Sequence, residues 1–176
     1  MKFKDLFVLP NLITLSRFFI VLFLFFNYEP EDFNKFILIL IIAIIGLSDS
    51  LDGIVARKYN LVTKLGVILD PFTDRTVFIL LLFWLDSLIN KYFIFAILIR
   101  EILILIGSLY VLKNKNNIKV SNKGKFATVL LFITICLFIL SSLYVIPFLS
   151  IISFLVVIFY FYVAFEYLYN LVFNSG

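Results

Sequence analysis

Six apolar stretches run through this 176-residue chain with short polar breaks between them. A helix needs about 20 apolar residues to cross the hydrocarbon core of a bilayer. Here 64% of the residues are hydrophobic, 23 of them phenylalanine, which leaves room for little else. The runs predict helices over 11–28, 36–57, 65–85, 92–113, 125–146 and 148–171. They are continuous, which excludes a transmembrane β-barrel with its alternating strands. They also exclude a separate soluble catalytic domain. The expected fold is an all-α integral membrane protein of one domain, 1–176, with six transmembrane helices. Residues 1–10 add a short interfacial segment whose apolar face carries Phe3, Leu6, Phe7 and Val8. Arg17 breaks the first apolar run and no small-residue cleavage site follows, so the N-terminus reads as mature sequence, not as a signal peptide.

The breaks differ in charge. The 27–35 loop holds Glu29, Glu31 and Asp32 against Lys35, and the 86–91 turn holds Asp86 and Lys91. Lys2, Lys4, Arg57, Lys58 and Lys64 lie at the other ends of the helices, as does the Lys113–Lys125 loop. Basic residues stay on the cytoplasmic side. Both termini and the 57–64 and 113–125 loops are therefore expected in the cytoplasm, in a multi-pass protein of the cytoplasmic (inner) membrane. The net charge of +4 belongs to this asymmetry and to lipid headgroups rather than to nucleic acid.

No histidine is present, and Cys136 is the single cysteine. Chemistry must come from carboxylates, cations and hydroxyls. Carboxylates do occur where an apolar helix should have none. Asp49 and Asp52 close the second run, and Asp70 and Asp74 open the third. Each costs roughly 2.5–3.5 kcal/mol at the centre of a spanning helix. Asp49 and Asp52 are spaced i,i+3; Gly66, Asp70 and Asp74 are spaced i,i+4,i+8, so each set shares a helical face. A short basic turn joins the two helices as antiparallel neighbours, and four carboxylates can converge in one cleft at the cytoplasmic end. Such a cluster needs cations. Oxygen donors without His or Cys select hard ions: Mg²⁺, Mn²⁺ or Ca²⁺. Two of them would clamp phosphoryl oxygens. Gly53, Ala56 and Gly66 leave room beside the acids, either for a ligand or for close helix packing. Arg57 offers a bidentate phosphate partner. A diphosphate-bearing substrate at the membrane surface fits this set. A non-catalytic metal-ion carrier would also place acids in helices, but it would need them along a path to both faces, and the outer helix halves hold none.

The pattern Asp49-x2-Asp52-Gly53-x2-Ala56-Arg57-x8-Gly66-x3-Asp70-x3-Asp74 resembles the signature of the CDP-alcohol phosphatidyltransferase family at all eight defining positions. The resemblance implies displacement of CMP from a CDP-linked lipid by an alcohol, with two divalent cations, Mg²⁺ or Mn²⁺. It implies that Asp49, Asp52 and Asp70 hold the first metal and that Asp70 and Asp74 serve the second. Asp74 would be the catalytic base for the attacking hydroxyl. Asp52, Gly53, Ala56, Arg57 and Gly66 would line the CDP site. It also implies a homodimer in the lipid bilayer.

The alcohol is a separate question. Arg75, Arg100, Lys123 and Lys125 are cations that could hold an anionic acceptor, although the neighbouring loop lysines also serve topology. The segment Leu9-Pro10-Asn11-Leu12-Ile13-Thr14-Leu15-Ser16-Arg17 resembles the first helix of the family's bacterial phosphatidylglycerophosphate synthases, as do Ala56–Thr63 and Arg100-Glu101. That branch implies CDP-diacylglycerol as donor and glycerol 3-phosphate as acceptor. Arg75 departs from the Lys usual there, and Gly124-Lys125-Phe126-Ala127-Thr128 looks closer to the cardiolipin synthases, which use phosphatidylglycerol.

Overall fold

The computed structural model describes residues 8–58, 66–114 and 122–173, with side chains at 8, 11–48, 72–107 and 123–170. The described residues form six helices and no strand: α1 Leu9–Asn27, α2 Lys35–Lys58, α3 Gly66–Trp84, α4 Lys91–Asn114, α5 Asn122–Ser141 and α6 Leu149–Phe173. At about 1.5 Å per residue the helices are roughly 28–38 Å long, comparable to a hydrocarbon core of about 30 Å. The interfacial segment expected over 1–10 and the two basic loops lie largely outside the described residues.

Local chemistry sets the ends. Pro10 sits in the first turn of α1, where its missing N–H costs nothing. Asn34 and Asn90 precede α2 and α4 as N-caps. Their side-chain oxygens accept the backbone N–H groups of Phe36 at 3.0 Å and Tyr92 at 2.9 Å. Helix α5 stops at Ser141, five residues before the expected 146. The hydroxyls of Ser141 and Ser142 donate back to the carbonyls of Phe138 and Ile139, competing for the groups that would continue the helix. Pro147 has no N–H to offer, and Phe148 turns the chain with φ 63°, a left-handed conformation uncommon outside glycine.

The chain divides into two compact units, Met1–Ser87 and Leu88–Gly176. In the first, α1 packs against both α2 and α3; in the second, α6 packs against both α4 and α5. A one-turn 3₁₀ helix, Pro30–Asp32, links α1 to α2. The Trp84 indole N–H donates to the Tyr28 carbonyl at 2.8 Å. The Tyr28, Phe33 and Trp84 rings pack with centroids 5.6 and 5.9 Å apart. This cluster ties the α1–α2 connection to the last turn of α3 and fixes α3 along α1.

The polarity is inverted relative to a water-soluble bundle. Asn11, Thr14, Arg17, Thr73, Glu101, Thr134 and Ser153 are buried, while large apolar side chains face outward. On α2 these are Phe36, Leu40, Ile44 and Leu47; on α6 they include Ile151, Leu155, Ile158, Tyr162, Phe165 and Tyr169. Repeats of three and four residues make each set a continuous stripe, far beyond the apolar patch a soluble monomer exposes. Among the described residues, Lys123–Ser141 and Leu149–Asn170 are long and apolar enough to cross a membrane by themselves. Shorter apolar helices cover Asn11–Asn27 and Lys35–Ser48.

Candidate active site

All the positions of the acidic signature fall on helix. Asp49, Asp52, Gly53, Ala56 and Arg57 lie in the C-terminal half of α2, and Gly66, Asp70 and Asp74 in the first three turns of α3. The helical register that gives the i,i+3 and i,i+4 spacings their meaning therefore holds. The side chains of Asp49, Asp52, Gly53, Ala56, Arg57, Gly66 and Asp70 lie outside the described residues, and so does their expected convergence. Asp74 is the described member of the set.

Asp74 meets a residue from a third helix. Arg17 is the one charged residue of α1. Its side chain is 4% exposed, and its Nη2 donates to Asp74 Oδ1 in an ion pair. Asp74 itself is 37% exposed. The sequence marks Arg17 as an interruption in an apolar run; it does not mark it as a site residue. The signal was the cost of a charge in an apolar helix, but its partner is 57 positions away. Asn11, Thr14 and Arg17, spaced i,i+3,i+6, are all buried on one side of α1. Thr73, next to Asp74, is buried as well, and Arg75 on its other side is half-buried.

A profile of the CDP-alcohol phosphatidyltransferase family matches residues 7–167, a span that includes all eight signature positions. The chain belongs to the CDP-alcohol phosphatidyltransferase family. Three bacterial relatives share one name, "CDP-diacylglycerol--glycerol-3-phosphate 3-phosphatidyltransferase". The chain is 38% identical to that of Aquifex aeolicus over 127 residues, covering 69% of this chain and 70% of the relative. It is 32% identical to that of Blochmanniella floridana over 126 residues, covering 68% and 66%. It is 37% identical to that of Haemophilus influenzae over 82 residues, covering 44% and 40%. The chain is an enzyme of the phosphatidyltransferase class, a membrane transferase of phospholipid biosynthesis, and the ion-carrier reading is set aside.

In this phosphatidyltransferase Arg100, Lys123 and Lys125 belong to the second unit, and Arg100 and Lys123 have partners there. Arg100 Nη1 donates to Glu101 Oε1 at 2.6 Å, and its guanidinium lies 3.9 Å from the centre of the Tyr160 ring. The Tyr160 hydroxyl donates to the same Glu101 oxygen at 2.8 Å. Lys123 Nζ donates to Glu166 Oε1 at 2.7 Å and lies 5.5 Å from the Tyr162 ring. Lys125 is exposed. Tyr160 and Glu166, both on α6, were not legible as partners, because an aromatic or a lone acid in an apolar helix names no contact. The charged head of Arg100 is thus shared between an acid and a ring face, a cation–π contact added to an ion pair.

Proposed function

We propose that this enzyme transfers the phosphatidyl group of CDP-diacylglycerol to a hydroxyl of glycerol 3-phosphate and releases CMP. The observation that carries the reading is Asp74. It is a half-exposed carboxylate inside the family signature, held on one side by a buried arginine and open enough to meet a substrate hydroxyl. The names of the relatives support glycerol 3-phosphate as the acceptor.

In the proposed reaction the acceptor oxygen forms a bond to the β-phosphorus. The bridging P–O bond to the cytidylate breaks, and CMP leaves with the electron pair. Asp74 takes the proton of the attacking hydroxyl, a transfer that needs hydrogen-bond reach. Asp49, Asp52, Asp70 and Asp74 would hold two divalent cations. The donor set, carboxylate oxygen alone with no histidine in the chain, fits Mg²⁺ or Mn²⁺. When bound, such ions neutralise diphosphate charge in the ground and transition states. Asp52, Gly53, Ala56, Arg57 and Gly66 would receive the CDP moiety. Arg75, Arg100, Lys123 and Lys125 are the candidates to hold the acceptor phosphate.

We further propose one domain with six membrane spans, both termini and the active site in the cytoplasm, and a homodimer in the bilayer. Helix lengths, outward apolar stripes and the alternation of basic loops support this topology. The resemblance of Gly124–Thr128 to cardiolipin synthases favours one second reading, with phosphatidylglycerol as acceptor.

The test is turnover of CDP-diacylglycerol by purified protein with a panel of acceptors, with and without chelator. CMP release should require glycerol 3-phosphate, vanish with excess chelator and return with Mg²⁺ or Mn²⁺. Cardiolipin made from phosphatidylglycerol, with glycerol 3-phosphate ignored, overturns the acceptor assignment. Full activity in chelator overturns the metal assignment.

A further inference from the structure

We propose that Arg17 of α1 is a positioning residue that orients the Asp74 carboxylate for proton transfer; this rests on the reading of Asp74 as the general base. Three observations lead to it. Arg17 is almost wholly buried, whereas its partner is more than a third exposed, so the pair joins a fixed cation to an accessible acid. The guanidinium donates directly to the carboxylate, from Arg17 Nη2 to Asp74 Oδ1. The helices that carry the two residues pack directly on each other, and the Tyr28–Trp84 hydrogen bond fixes the far end of α3 to the connection leaving α1.

The physics is that of a carboxylate oriented by a fixed cation. A lone carboxylate on a helix samples several χ1 and χ2 states. Proton transfer requires one of them, within hydrogen-bond reach of the hydroxyl. A guanidinium is planar, always charged and delivers its donors in a rigid fork, so it restricts the acid more than a flexible ammonium does. Arg17 is in turn set in a packed wall, with Asn11 and Thr14 buried on the same side of α1. Removing the guanidinium leaves an acid that still helps to bind the donor lipid but is no longer held where the proton must arrive. The expected signature is therefore a fall in kcat with little change in the binding of CDP-diacylglycerol.

The experiment compares Arg17→Lys, Arg17→Met, Asp74→Asn and the Arg17→Met/Asp74→Asn double variant in the purified full-length protein. Turnover is measured beside equilibrium binding of labelled CDP-diacylglycerol without acceptor. Arg17→Met should lower kcat about 30-fold or more while its lipid affinity stays within about threefold of wild type. Arg17→Lys should recover part of the lost rate, because it keeps the charge and loses the fork. The double variant should be no slower than Asp74→Asn alone, since residues acting as a unit are not additive. Wild-type kcat in Arg17→Met, with Asp74→Asn inactive, overturns the positioning role and leaves the base assignment standing. Parallel loss of rate and of lipid binding in both Arg17 variants also overturns it, because that is the mark of a damaged fold. Wild-type turnover in Asp74→Asn overturns the base assignment on which the proposal rests.

Discussion

Each unit of the molecule buries an arginine against a carboxylate, and the two pairs are built to different ends. In the first, Arg17 reaches from α1 to Asp74 on α3, and the acid remains 37% exposed. In the second, Arg100 pairs with the adjacent Glu101, whose side chain is 10% exposed and also receives the Tyr160 hydroxyl from α6. Both acids meet a cation, but one stays accessible, while the other accepts the hydroxyl of a tyrosine whose ring covers the cation. A buried pair whose acid also accepts a hydroxyl hydrogen bond gives rigidity without reactivity. A pair with an open acid gives a held carboxylate that a substrate can reach.

That contrast can be broken in order of effect. Asp74→Asn should lower turnover by about 10²–10⁴-fold, the usual range for loss of a positioned general base; its amide oxygen still offers Arg17 an acceptor, so the thermal midpoint of the detergent-solubilised protein should fall less than in Glu101→Ala. Retention of the wild-type rate would place the chemistry elsewhere. Glu101→Ala should do the reverse: it strands a buried guanidinium and should cost about 3–5 kcal/mol of stability, read as a lower thermal midpoint. Replacing both partners, Arg100→Leu with Glu101→Leu, should restore most of that loss, because an apolar pair avoids the desolvation of two charges. The acceptor KM of the double variant then separates two duties of Arg100. A rise of about tenfold or more marks a charge-assisted phosphate contact, and an unchanged KM assigns Arg100 to the α4–α6 contact alone. Lys123→Met should be mildest in stability, with a thermal midpoint close to wild type, since its pair with Glu166 is half exposed. A larger loss would mean that the α5–α6 pair carries more of the second unit than its exposure implies.

Much of the helical layout was legible because each apolar run is bounded by polar residues. Asn34 and Asn90 announce the starts of α2 and α4, and both ends of α1, the end of α3 and the starts of α2, α4 and α6 fall within two residues of expectation. Helix α5 misled because Leu143-Tyr144-Val145-Ile146 continues the apolar pattern beyond the serines that end it. Val145 is instead 97% exposed in the following loop. Helix pairing was less legible. A helix apolar on all sides does not reveal which face meets protein and which meets lipid, so the place of α1 against both α2 and α3 had no clear sequence signal. The acidic signature could be read because its spacing is local. The Arg17–Asp74 pair could not, because it is set by packing between distant segments.

The same pair also orders the way the chain is made. Arg17 is synthesised 57 residues before Asp74. At a synthesis rate of about 5–20 residues per second, roughly 3–11 s pass before the counter-charge exists. If α1 spans the membrane as proposed, inserting its arginine costs roughly 2.5–3.5 kcal/mol, and α1 is expected to wait at the insertion machinery or to shift its arginine towards the headgroups. It is expected to settle fully only when α3 follows. Assembly of the first unit is then a paired event, and a nascent chain truncated before Asp74 should hold its first helix poorly.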